Sequence, residues 1–132
     1  MSVRYQEPTP LAGEALRPIA SLISKSEKAR RKLAPGTWQH AMLRDNLKAL
    51  RLAAALMGEA AGHTSGVARD EMRMALRAFA VMIRKAEKAR AGCPPGTSQR
   101  TLQQNRLKAL RMAGRAIRAE LATRSVARRK GS

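Results

Sequence analysis

The sequence predicts an all-α protein: an up-down-up-down four-helix bundle made of two tandem αα-hairpins related by a pseudo-two-fold axis. Three observations predict it. Residues 16–57 align with residues 76–117 at a constant offset of 60 without a gap, and 19 of the 42 pairs are identical. Such internal self-similarity marks one supersecondary unit used twice. Helix formers dominate the composition, and aromatics are nearly absent, with one Trp, one Tyr and one Phe; this favours helix over strand. Each repeat is interrupted once, at a Pro-Gly-Thr-x-Gln run (Pro35 to Gln39, Pro95 to Gln99). A proline ends the helix before it, because the residue preceding proline is pushed out of the α region.

The elements follow in order. Residues 1–13 carry Pro8, Pro10 and Gly13 with no apolar period and are expected to form an irregular arm. Helix 1 is expected from Glu14, with Leu16, Ile19, Ile23, Ser26 and Leu33 at helical spacing. After Pro35, Gly36 supplies turn freedom and Thr37 is the expected N-cap of helix 2. So short a connection permits only an antiparallel hairpin. Helix 2 carries Leu43, Leu47, Leu50, Ala54 and Met57 on one seam, the spacing of coiled-coil-like packing. A second stripe, Trp38, Met42, Ala49, Leu52 and Leu56, lies opposite part of that seam and offers a surface for a second copy of the chain.

Residues 58–66 hold Gly, His, Thr and Ser without apolar period and read as the link between repeat 1 (14–60) and repeat 2 (67–122). Helix 3 is expected over 67–91, with Leu76, Phe79, Ile83, Ala86 and Ala89 inward. Helix 4 is expected over 98–122, with Leu107, Leu110, Gly114, Ile117 and Leu121 inward. Residues 123–132, with Arg124, Arg128, Arg129 and Lys130, read as a basic tail. One hairpin cannot bury an apolar stripe on both of its helices, whereas two can close on each other.

No catalytic set emerges. His40 and His63 stand alone, and no Cys-x-x-Cys, His-x-x-x-His or Glu-x-x-His pair exists, so no metal, cofactor or catalytic residue is expected. Cys93 replaces Leu33 of the first repeat and fits a small apolar filler better than a nucleophile. A lone cysteine cannot form an internal disulfide, and no apolar leader precedes Pro8; together with the absence of a membrane-length apolar run, this sets a cytoplasmic expectation.

Two polar patterns remain. Glu27 and Arg30 fall on or beside the inward arc of helix 1, and Glu87 and Arg90 repeat them in helix 3. With Gln39 and Gln99 they suggest a small inward polar network near each turn, Glu27 facing Asn46 and Glu87 facing Arg106. Buried polar groups need partners, so its expected role is to fix hairpin register.

The second pattern is charge. With 27 Lys and Arg against 9 Asp and Glu, the formal net charge is +18. A bias of that size attracts polyanions. Six of the eight lysines are matched between repeats: Lys25 with Lys85, Lys28 with Lys88, Lys48 with Lys108. A simple drift in composition toward arginine would not leave lysines paired. On helix 2, Arg44, Lys48 and Arg51 form one stripe; on helix 4, Lys108, Arg111, Arg115 and Arg118 form another. The starts of helices 2 and 4 add free amides, with Lys32 and Arg100 nearby.

The expectation is a non-enzymatic basic module that contacts the DNA or RNA backbone with little sequence preference. Phosphate contact needs only Lys and Arg in rows, and scarce aromatics argue against a base-stacking reader. The alternative is a structural or protein-interaction bundle, paired with an acidic protein or with itself through helix 2.

Overall fold

A computed structural model describes residues 8–58 and 66–131, with side chains described for 14–58 and 66–124. Its four helices are α1 (Pro8–Arg31), α2 (Trp38–Met57), α3 (Arg69–Ala91) and α4 (Ser98–Gly131), and the described residues contain no strand. The all-α bundle expected from the sequence is therefore present. Most of the linker expected at 58–66 lies outside the described residues.

Both interhelical turns follow from their sequence. Over Ala34-Pro35-Gly36-Thr37 the Thr37 amide donates to the Ala34 carbonyl at 3.4 Å, and Gly36 has φ 94°. Proline at the second position and a positive-φ glycine at the third are the requirements of a type II turn. Gly96 repeats the conformation with φ 81°. The threonine that follows each turn then starts the next helix. Thr37 Oγ1 accepts from the His40 amide, and Thr97 Oγ1 from the Arg100 amide, both at 3.2 Å. Each hydroxyl also donates backward, Thr37 to Ala34 O at 2.9 Å and Thr97 to Pro94 O at 2.8 Å, which ties cap to turn.

Each helix packs on its neighbours in sequence, α1 closes the ring against α4, and α2 and α4 also touch across the diagonal; among the described residues α1 and α3 are not in contact. The core runs along that arrangement: Ile19, Leu50, Met72, Phe79, Leu107, Leu110 and Ile117 are buried together. Alanines complete it at Ala49, Ala53, Ala109 and Ala113, small side chains of α2 and α4 that let neighbouring helices approach closely. Ala49 thus belongs to the core rather than to the outward stripe to which periodicity assigns it. Helix α2 meets three helices, so its buried arc is wider than a two-neighbour seam. Ala89, expected inward, is exposed near the end of α3, where the packing thins.

Both chain ends are more helical than the sequence suggests. Helix α1 begins at Pro8, so residues 8–13 are helical rather than an irregular arm; residues 1–7 lie outside the described residues. Prolines in a first turn cost little, because those amides have no intrahelical acceptor. Pro18 sits deeper and removes one backbone bond, yet Ala15 and Ile19 on either side of it are buried and hold the segment on the core. At the other end α4 continues through 123–131, where a frayed tail was expected. Arg124 explains part of this. Its Nε donates to Glu120 at 3.0 Å, and a terminal nitrogen donates to the Val67 carbonyl, which fastens the last turns of α4 to the entry of α3.

Candidate functional site

The inward polar network expected near the turns is replaced by two cross-seam ion pairs. Glu27 on α1 accepts from Arg51 on α2, and Glu87 on α3 accepts from Arg111 on α4 at 2.8 Å. Neither glutamate is fully buried. The expected facing residues, Asn46 and Arg106, are displaced by arginines more than a turn further along. Side chains on a helix lean toward its N-terminus. In antiparallel neighbours the Glu27 and Arg51 side chains therefore lean toward each other and meet at a level that counting Cα positions misses. Arg30 and Arg90 are half-buried, and neither pairs with these carboxylates.

Gln39 and Gln99 are exposed, not inward. Each sits in the first turn of its helix, beyond the last packed layer, since the first buried residue of α2 is Leu47. Arg100 also departs from expectation. Its guanidinium donates to the carbonyls of Arg90 at 3.3 Å and Cys93 at 3.0 Å, closing the C-terminus of α3. It is committed to the fold rather than poised for a phosphate. Cys93 is half-buried, and its thiol donates to Ala89 O at 3.2 Å.

The basic residues divide between the two hairpins. Lys25, Lys28, Arg44, Lys48 and Arg51 are exposed on α1 and α2, and Lys85, Lys88, Lys108, Arg111, Arg115 and Arg118 on α3 and α4. Arg51 marks the α1/α2 seam through Glu27. Arg111, Arg115 and Arg118 border a small cleft at the α3/α4 seam, beside Ile83 and Gly114. These two seams lie on opposite sides of the ring of helices. The arginines at the two seams are therefore apart, whereas Lys48 lines the space between α2 and α3 and Lys85 Nζ lies 3.8 Å from Met42 Sδ across it.

Acidic side chains are mostly engaged already. Asp45 meets Arg44 at 3.4 Å, Asp70 meets Arg73 at 3.7 Å, Glu120 meets Arg124, and Glu71 accepts from the Ala68 amide at 3.5 Å. Every ion pair among the described residues uses arginine; no described lysine is in one. The duplicated lysines thus stand outside the internal charge pairing.

Sequence reading missed an open groove of about 800 Å³ between α2 and α3. Its α2 wall contains Trp38, Met42 and Leu52 from the second apolar stripe, and α3 adds Met74, Ala78 and Val81. The α2 half was visible as periodicity; the α3 half was not, because Met74 and Val81 lie off the helix 3 seam. Among the described residues no group of three or more His, Cys, Asp or Glu stands together, and no helix is long and apolar enough to cross a membrane. Comparison with protein-family models, curated proteins and solved structures finds no significant match to this chain.

Proposed function

We propose that this chain is a non-enzymatic helical module that binds a polyanion, nucleic acid backbone in the first instance, with little sequence preference. The observation that carries the reading is the division of labour among its cations. Arginines close the internal ion pairs, while Lys25, Lys28, Lys48, Lys85, Lys88 and Lys108 are exposed and outside them. Cations that serve no internal pair add self-repulsion to a chain of +18, a cost that a polyanion would relieve. Scarcity of aromatics agrees with backbone contact rather than base readout.

The module is read as a duplicated hairpin with pseudo-two-fold symmetry. Support comes from the 60-residue sequence offset and from features that recur at that spacing: Glu27–Arg51 with Glu87–Arg111, Gly36 with Gly96, Thr37 with Thr97. Under this reading each hairpin presents its own basic residues. The module then has arginines at two opposite seams, an arrangement suited to bridging two strands or segments.

The test is fluorescence anisotropy of labelled duplex DNA, single-stranded DNA and RNA across a salt series. Binding should weaken with salt at a slope of about 0.9 per phosphate contacted on duplex DNA. Changing Lys108, Arg115 and Arg118 together to Ala should lower that slope while leaving helix content unchanged, as all three are exposed. Absence of binding at low salt would overturn the proposal.

A further inference from the structure

We propose that the groove between α2 and α3 is a docking site for an amphipathic helix of a partner protein, one whose apolar face is flanked by carboxylates. The groove shares Lys48, and Lys85 at its edge, with the lysine-bearing surface, but its apolar lining is its own, and the inference does not depend on polyanion binding.

The groove has the dimensions of a helix seat. From Trp38 to Ala55 it follows α2 lengthwise, about 25 Å at the rise of an α-helix. Ala41, Ala49, Ala75 and Ala78 line it and would let a third backbone approach closely. Large apolar side chains stand along it without cover: Trp38 is 70% exposed, Met74 55% and Val81 37%. An unpartnered tryptophan beside methionines is the composition of an adaptable helix-binding groove. Scattered surface apolar residues need no explanation, but these three line one cavity from two helices.

Charge selects the occupant. Lys48 and Arg77 line the groove and are in no ion pair among the described residues, while Lys85 Nζ lies 3.8 Å from Met42 Sδ at its edge. The two acids that line it, Asp45 and Glu71, are already engaged with Arg44 and the Ala68 amide. Lys48, Arg77 and Lys85 outnumber Glu71, the one lining acid outside an ion pair, so the rim is net positive, and carboxylates flanking an apolar helix face would meet it. A second copy of this chain fits poorly. An isologous contact sets a patch against itself, which would bring two net-positive rims together between two chains of +18.

The chain carries its own reporter, because Trp38 is the sole tryptophan. The probes are two synthetic 18-residue amphipathic peptides with leucines at i, i+3, i+4 and i+7, one flanked by glutamates and the other by lysines. The Glu-flanked peptide is expected to shift Trp38 emission to the blue, saturably, and to bind at least tenfold tighter than the Lys-flanked one at physiological salt. Met74→Gln with Val81→Gln should abolish the shift at unchanged helix content, and Arg77→Glu should narrow the preference between peptides. No saturable shift, equal affinity for both peptides, or a shift that survives the double substitution would each overturn the proposal. So would a concentration-dependent blue shift of the protein alone with doubled mass in sedimentation, which would make a second copy the occupant.

Discussion

The Arg111 guanidinium donates to the Glu87 carboxylate at 2.8 Å across the α3/α4 seam, with both side chains nearly half exposed. Arg51 and Glu27 make the corresponding contact across α1/α2. Water reaches both pairs, so their Coulomb attraction is screened.

Breaking either pair should therefore cost little. A double-mutant cycle on Glu87→Gln and Arg111→Gln, followed by urea unfolding, is expected to give a coupling energy of about 0.2–1 kcal/mol. A coupling well above 2 kcal/mol would mean that the pair is shielded, contrary to its exposure.

Core truncation should behave differently. Phe79 is 1% exposed and the largest of the fully buried side chains, so Phe79→Ala is expected to cost about 3–5 kcal/mol. Met74→Gln, on the groove lip of the same helix, should fall within about 0.5 kcal/mol of wild type. Denaturant midpoints of the two variants decide this directly.

The turns offer a third test. Gly36 and Gly96 have open space where a Cβ would be, yet both hold positive φ. Alanine at either position should destabilise by about 1–2 kcal/mol through backbone strain alone, with no steric contribution. Thr97→Ala, which removes the cap on the Arg100 amide, should cost about 1 kcal/mol. Thermal melts of the three single variants would measure both effects.

How far these features could be read beforehand depended on their range. The turns were legible because Pro35-Gly36-Thr37 and Pro95-Gly96-Thr97 encode local geometry with no help from the rest of the chain. Leu47, Leu50, Leu107, Leu110 and Ile117 were legible as core because their spacing survives in both repeats. Glu27 and Glu87 were placed correctly beside the seam but given the wrong partners, since the lean of side chains along a helix moves a contact by more than a turn. The groove escaped because its walls come from two helices. Trp38 and Met42 had a visible stripe, whereas Met74 and Val81 gain meaning only when α3 is set beside α2.

The helical end of the chain makes a fourth prediction. Arg124 joins the last turns of α4 to the Val67 carbonyl at the entry of α3. Arg124→Ala should speed amide hydrogen exchange at residues 69–72 and lower stability by about 1.5–3 kcal/mol, the loss expected of a partly buried charged hydrogen bond. Unchanged exchange there would mean that α3 starts independently of the C-terminal turns.

The unequal diagonals of the bundle have a mechanical meaning. With α2 and α4 in contact and α1 and α3 apart, the molecule has a two-helix spine and two flanks, each resting on the spine from its own side. Loosening one flank leaves no broken contact on the other, so strain applied at α3 can be absorbed without reaching α1. Every contact between the two hairpins involves α2 or α4, so the second helix of each hairpin is the part that holds the two halves together.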